Sequence, residues 1–253
     1  DERPDWLACV YDDRAVQVSP HLVDVHAAHE AGQMDCVMAH VNATPAKLHV
    51  SIIDSVLTLA ELAQHLRRFI MVRRDGGKNA TLRFADCAVL PQLAIAFMPA
   101  QWAALVSPMA RWHVHGYDGK LVALPGADAA VLCSPTPLVL TEQQLAALHE
   151  AMIPNMVLGC LRAMRHGAAL PGIAADQHRW AGEACRLWRN ARNVHDIVLR
   201  WLTSAALDTN GAVFQQEMVG RLLVMSDLQE IRAGLHAAVE GYRAKLSPMG
   251  ARQ

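Results

Sequence analysis

The strongest structural signal in the chain lies in residues 57–119, which read LTLAELAQHLRRFIMVRRDGGKNATLRFADCAVLPQLAIAFMPAQWAALVSPMARWHVHGYDG. Thr58 and Glu61 stand three positions apart ahead of an apolar repeat, and this spacing is typical of a helix capping box. Leu62 and Leu66 then follow at helical spacing, which predicts one buried helix face. This segment is therefore predicted to begin with an amphipathic helix.

A β-hairpin is predicted directly after this helix. The apolar run Phe69–Val72 is typical of a short buried strand, and Thr81–Phe84 resumes the same pattern. Between them, Asp75–Gly77 supplies residues that tolerate positive φ and therefore favour a tight turn. The two runs are expected to pair with each other.

Two short helices and a second hairpin complete the segment. The helices are predicted at Val89–Phe97 and Pro99–Val106, because a proline suits the first turn of a helix, where its missing N–H has no partner to lose. The second hairpin pairs Arg111–His115 with Lys120–Val122 around a turn bounded by glycines. Hairpins and helices thus alternate throughout this part of the chain.

Two further strands are predicted on the N-terminal side. The short apolar run Trp6–Tyr11 predicts a first, central strand, and Leu48–Ile53 combines β-branched residues with partial alternation. Together with the hairpins and helices, they favour a small mixed sheet with helices packed against it.

Proline and glycine residues interrupt the chain between residues 124 and 137, where Pro125-Gly126 and Ser134–Pro137 occur. Beyond them the strand patterns end, and Thr141 and Gln144 begin a series of helical repeats. We therefore predict an α+β fold of two lobes. A mixed α/β lobe covers residues 1–124, a linker covers 125–139, and an all-helical lobe covers 140–253.

Several short motifs of the first lobe occur in a fixed order. They are Leu66-Arg67-Arg68-Phe69, Val72-Arg73, Asp75-Gly76-Gly77, Leu82-Arg83-Phe84-x-Asp86, Val89-Leu90, Pro99-x-Gln101, Ser107-Pro108 and Arg111-Trp112-x-Val114. This succession resembles that of the type VI secretion effector adaptors, a family long catalogued as a domain of unknown function. The resemblance covers about half of the chain.

The resemblance implies a function as well as a bilobal fold. Members of this family are cytosolic chaperones of Gram-negative bacteria that load a toxin onto the secretion spike. It implies two protein partners for this chain, an effector toxin and the spike (valine-glycine-repeat) protein or its tip. It also implies stoichiometric binding without catalysis, and an adaptor that stays behind when its cargo leaves.

Composition limits the other classes of function. A net charge of −1 and a pI near 7.0 argue against nucleic acid or an anionic membrane as the main partner. No apolar run approaches the roughly 20 residues of a membrane helix. The six cysteines are widely spread without a C-x-x-C pair, and we see no secretory leader, so we expect a reduced, cytoplasmic protein.

Catalytic motifs are absent from the sequence, which contains no G-x-S-x-G, no Walker loop and no G-x-G-x-x-G. His113 and His115 alternate on a predicted strand, so their rings share one face. They could serve a small metal-dependent hydrolase, which is the alternative function, or they could simply be paired polar residues on a sheet face. We predict no enzyme activity, no catalytic residues, no cofactor and no metal.

The segment from Arg162 to Arg200 holds seven arginines against three acidic residues, with Trp180 and Trp188 interleaved and Trp201 directly after it. Tryptophan and arginine are the residues that most often anchor protein interfaces. Alternatively, the tryptophans belong to the core and the arginines form a solvated helix face. The candidate partner-binding residues are Arg179, Trp180, Arg186, Trp188, Arg189 and Arg192.

Overall fold

The computed structural model describes residues 4–11, 19–43, 47–128, 130–132 and 134–246. The chain divides into two compact units, Asp1–Ala151 and Met152–Gln253. In the described residues, the first unit combines helices with three small sheets, and the second unit is helical. The structure therefore confirms the predicted α+β fold with strands in the first half and helices in the second.

The first unit contains most of the short elements. Its helices are α1 (Val25–Glu30), α2 (Met34–Val41), α3 (Leu59–Arg67), α4 (Leu90–Ala96) and α5 (Pro99–Val106). Its strands are β1 (Leu7–Cys9), β2 (His21–Val23), β3 (Ser51–Ser55), β4 (Met71–Arg74), β5 (Asn79–Thr81), β6 (Met109–His115), β7 (Leu121–Ala123) and β8 (Val139–Leu140).

The elements that follow in the described residues are helical. They are α6 (Glu142–Met164), which begins in the first unit, then α7 (Ala174–Asn190), α8 (Asp196–Asp208), a short 3-10 helix (Ala212–Gln215), α9 (Glu217–Leu223) and α10 (Leu228–Leu246).

The predicted capping box at the start of α3 is confirmed. The Thr58 backbone N–H donates to a Glu61 carboxylate oxygen at 2.9 Å, and the Glu61 backbone N–H donates to the Thr58 hydroxyl at 3.3 Å. Leu62 and Leu66 are buried, as their spacing predicted. Local sequence thus fixes both the start of this helix and the face that it buries.

The first hairpin forms where it was predicted, but its strands begin and end at other residues. β4 and β5 pair around Gly76 and Gly77, whose φ angles of +89° and +81° suit glycine. The predicted second strand at Thr81–Phe84 is wrong in its limits. Leu82 still donates its N–H to the Ile70 carbonyl at 2.8 Å, but the chain then leaves the sheet and buries Phe84.

The prediction of a central first strand is wrong. Among the described residues, β1 pairs only with β2, in a separate two-stranded ladder. The Arg67 guanidinium donates to the carbonyl oxygens of Val10 at 2.9 Å and Cys9 at 3.2 Å. A side chain from α3 therefore takes the backbone acceptors that a further strand would have used.

The other two sheets have three strands each. One has the order β3-β6-β7 and is antiparallel; the other has the order β5-β4-β8, in which β8 runs parallel to β4. Residues 125–151 group with the first unit, because Leu138 and Leu140 are fully buried in its core and Leu145 packs against it. The compact units thus differ from the predicted domain limits, and a domain boundary at 125–139 stays a prediction.

The second unit has its own core, to which α7, α8 and α10 contribute most. Trp180, Leu202 and Ile231 lie within it, together with small side chains such as Ala181 and Ala206 that are completely buried. Small residues let the helices approach closely, so this core needs few aromatic side chains.

Two half-buried histidines have shifted proton affinities. Burial lowers the pKa of His65 in α3, although its Nε2 atom lies 2.8 Å from the Leu105 carbonyl oxygen. Burial also lowers the pKa of His178 in α7. Burial in the folded protein therefore disfavours the charged form of both rings.

We expect the free energy of unfolding to decrease in mild acid, because the unfolded chain binds these protons more readily than the folded chain. The loss begins as the pH falls through the ordinary histidine pKa of 6.5 and continues towards the lower folded-state values. The urea midpoint should drop between about pH 7.5 and about pH 5.5. A His65→Gln/His178→Gln variant should show a smaller drop, and an equal drop would contradict this account.

Candidate partner-binding surface

Five of the six candidate residues lie on α7, and Arg192 follows its end. Trp180 is only 4% exposed and belongs to the helical core. Trp188 is half-buried against the same core, and its indole N–H donates to the His195 carbonyl at 3.3 Å. The structure therefore places the tryptophans mainly inward and leaves the arginines at the surface.

Two of these arginines form ion pairs on one exposed face of α7. Arg179 pairs with Asp176 at 2.7 Å, three residues earlier. Arg186 donates through Nε and Nη2 to the two carboxylate oxygens of Glu183, and this bidentate pair lowers the pKa of Glu183. Acidic and basic side chains thus alternate here, so these two arginines bring no excess of positive charge to this face.

The remaining arginines lie near the end of α7. Arg189 is half-buried, whereas Arg192 is exposed and adopts a left-handed backbone with φ of 52°. Within the described part of the chain, the Arg192 guanidinium has no hydrogen bond or ion pair. It is therefore the cation of this group that is most available to a partner.

A pocket of about 540 Å³ opens beside Trp180. Its walls come from α7, the end of α8, the short 3-10 helix and α10, and they include Arg179, Glu183, Asn210, Phe214 and Tyr242. The guanidinium of Arg179 lies 5.6 Å from the centre of the Trp180 ring, a cation–π arrangement. The pocket thus offers one cation, one carboxylate and aromatic surface to a bound group.

Two glycines allow the Trp180 ring to occupy its position. Gly172 and Gly211 both have φ of +81°, and a Cβ atom on Gly172 would lie 2.8 Å from the ring. A Cβ atom on Gly211 would clash with the indole nitrogen itself. That nitrogen is buried and has no hydrogen-bond partner in the described residues. The position of this ring therefore depends on close packing and on the Arg179 guanidinium, and not on a hydrogen bond from its indole nitrogen.

In the first unit, Gln101 is 2% exposed and organises a polar network. Its Oε1 atom accepts from the Met98 backbone N–H at 2.9 Å and from Gln144 Nε2 at 2.6 Å. Its Nε2 atom donates to the Val139 carbonyl at 2.7 Å. One side chain from the Pro99-x-Gln101 motif thus joins α5, β8 and the start of α6.

Other motif residues also bond within the first unit. Arg83 pairs with Asp86 at 2.7 Å, and Asp86 accepts the Ala88 backbone N–H at 2.9 Å, so both side chains have local structural partners. The indole N–H of Trp112 donates to the Ser51 hydroxyl, as that of Trp102, next to the Pro99-x-Gln101 motif, does to the Pro125 carbonyl. These motif side chains therefore act mainly as scaffold.

The comparison with known protein families gives a match over part of the chain. A family model described as a domain of unknown function (DUF4123) matches residues 7–104. No curated protein and no solved structure matches the chain. The segment matching DUF4123 includes α3 with its capping box, the first hairpin and the Gln101 side chain. The match therefore covers much of the scaffold of the first unit.

The two histidines on β6 have unequal surroundings. His115 is 7% exposed, and its Nδ1 atom lies 2.9 Å from the Val50 carbonyl oxygen, whereas His113 is half-buried. In the ranges that the structure describes, no cluster of three or more histidine, cysteine, aspartate or glutamate side chains is arranged to hold a metal ion. The described geometry therefore adds nothing in favour of the hydrolase alternative.

Over the described residues, no helix is both long enough and apolar enough to cross a membrane.

Proposed function

We propose that this protein is a non-enzymatic adaptor of type VI secretion, which binds a toxin effector in the cytoplasm and helps to load it onto the spike. The observation that carries this proposal is the DUF4123 match over residues 7–104, together with the ordered motifs that resemble the effector adaptors. The same segment supplies the scaffold of the first unit.

In this proposal the protein acts by stoichiometric binding. It holds the toxin until the spike protein, a valine-glycine-repeat protein, is engaged, and it shields apolar toxin segments that would otherwise aggregate. The motif side chains of Gln101 and Trp112 form hydrogen bonds within the first unit, so binding surfaces are expected among exposed residues outside those motifs.

The exposed side of α7 is the proposed toxin-binding surface in the second unit. Arg179, Arg186 and Arg192 supply cations there, and Trp188 supplies partly exposed aromatic area beside Arg189. The pocket at Trp180 can receive one side chain of the toxin. Arginine and tryptophan combine large contact area with polar groups, which suits an interface anchor.

Co-expression tests the adaptor function directly. A type VI toxin encoded in the same gene cluster should be insoluble when expressed alone, and should become soluble and co-purify when this protein is present. A toxin that stays soluble alone and does not co-purify would contradict the proposal.

Reversing two charges on α7 should weaken toxin binding. For an Arg179→Glu/Arg192→Glu variant we expect the Kd for the toxin to rise about tenfold or more, because interfacial cations would be replaced by repulsive charges. Arg221→Glu is the matched control, since Arg221 on α9 is exposed and also forms an ion pair, with Glu217. Capture of the co-expressed toxin by each tagged variant measures both effects, and equal amounts of captured toxin would show that this surface does not bind the toxin.

A further inference from the structure

The sheet β3-β6-β7 has two edges that differ in character. β3 carries the charged Asp54, and its pairing with β6 is irregular between Asp54 and Ser55. Charges and irregular pairing are means by which proteins keep sheet edges from pairing with other chains. β7, at the opposite edge, consists of Leu121, Val122 and Ala123 and has neither feature.

The whole of β7 is exposed, with Leu121 at 48% and Val122 at 51%. In the described part of the chain, β6 is the only strand to which β7 is hydrogen-bonded. An added strand would cover both side chains. Such a strand is therefore favoured by burial of apolar surface.

The backbone of β7 is ready to pair on its outer side. Leu124 donates its N–H to the Trp112 carbonyl at 2.8 Å, and the Lys120 carbonyl accepts from Gly116 at 2.8 Å. Since alternate residues of an antiparallel strand turn towards the neighbour, the backbone groups of Leu121 and Ala123 point away from β6. They offer two N–H donors and two carbonyl acceptors to a further strand.

An apolar pocket of about 300 Å³ lies where β7 ends. Its walls are mainly apolar and include Ala123, Leu124, Pro125, Met109 and Trp112, together with Arg111 and His113. A strand that added to β7 and continued past Ala123 would bring a side chain to this pocket. The pocket would accept an apolar side chain in preference to a charged one.

We propose that β7 receives an extended, uncharged segment of the toxin as a fourth strand, with one apolar side chain in this pocket. The inference rests on the proposed adaptor function and names the chemistry of the toxin segment. A second copy of this chain fits less well. Antiparallel pairing centred on Val122 would place the partner copy's Lys120 opposite Leu124. Its charged ammonium group would then lie beside the pocket that Leu124 helps to line, which is unfavourable in mainly apolar surroundings.

Two edge variants test this proposal. Ala123→Pro removes an outward-facing N–H but keeps the bonds between β7 and β6, because proline is tolerated where an edge N–H faces solvent. Leu121→Lys places a charge on the edge and leaves the backbone unchanged. Val56→Lys is the control, since Val56 is apolar, 87% exposed and outside the strands.

Capture of the co-expressed toxin by each tagged variant is the measurement. Both edge variants should retain at least about tenfold less toxin than the wild type, whereas Val56→Lys retains as much. Undiminished capture by folded Leu121→Lys would overturn the edge proposal and leave the adaptor function intact. If the wild type captured no toxin, both proposals would fall. A wild-type dimer that Ala123→Pro dissociates would assign the edge to a second copy instead.

Discussion

Replacing Trp180 with alanine is expected to lower the free energy of unfolding of the helical unit by about 3–5 kcal/mol. The ring is 4% exposed and is enclosed by backbone at Gly172 and Gly211. These backbone segments cannot collapse into the vacated space without changing the left-handed turns that they form. The lost contacts and the remaining cavity therefore both contribute to the cost.

Trp180→Phe provides the matched comparison. It removes the indole nitrogen, which has no partner in the described residues, so no hydrogen bond is lost. We expect it to cost less than half as much as Trp180→Ala. Urea unfolding followed by circular dichroism at helical wavelengths measures both variants without depending on tryptophan fluorescence. Equal midpoints for Trp180→Ala and the wild type would show that this ring does not support the unit.

Replacing Gln101 with leucine is expected to destabilise the first unit by about 2–4 kcal/mol. The variant keeps approximately the side-chain size but leaves the Met98 N–H, the Val139 carbonyl and the buried end of the Gln144 amide without their Gln101 partner. Buried polar groups without partners carry their full desolvation cost.

Gln64→Leu is the control for Gln101→Leu, because Gln64 is exposed on α3. Its effect should stay within about 0.5 kcal/mol of the wild type. Differential scanning calorimetry and urea midpoints both report the difference. If the two leucine variants were equally stable, the Gln101 network would contribute nothing to the fold.

Features set by neighbours in sequence were predictable. The capping box of Thr58 and Glu61 and the turn at Gly76 and Gly77 depend on residues within four positions of each other. The second capping box is of the same kind, since the Thr141 hydroxyl accepts the Gln144 backbone N–H at 3.2 Å. Local chemistry of this sort leaves few alternatives.

Pairing between distant segments could not be predicted in the same way. β8 joins β4 in parallel across more than sixty residues, and a strand of two residues leaves almost no pattern in the sequence. The Gln101 network likewise brings together residues that lie far apart along the chain. The sequence alone contains no signal that these particular groups meet.

The orientation of the tryptophans at the candidate surface could likewise not be predicted from the sequence. An amphipathic pattern predicts that α7 buries one face, but it does not tell whether tryptophans at the margin face the core or a partner. Trp180 proved to be core, and the pocket beside it depends on Phe214 and Tyr242, whose contribution comes only from packing. The close approach of Gly211 to the Trp180 ring likewise comes only from packing.

The most direct test of the adaptor function is light scattering during size-exclusion chromatography of this protein co-expressed with its toxin and spike protein. We predict a single species whose mass corresponds to a fixed stoichiometry of adaptor and toxin, with the spike protein joining it when present. Separate elution of all three proteins, each soluble by itself, would contradict the proposed function.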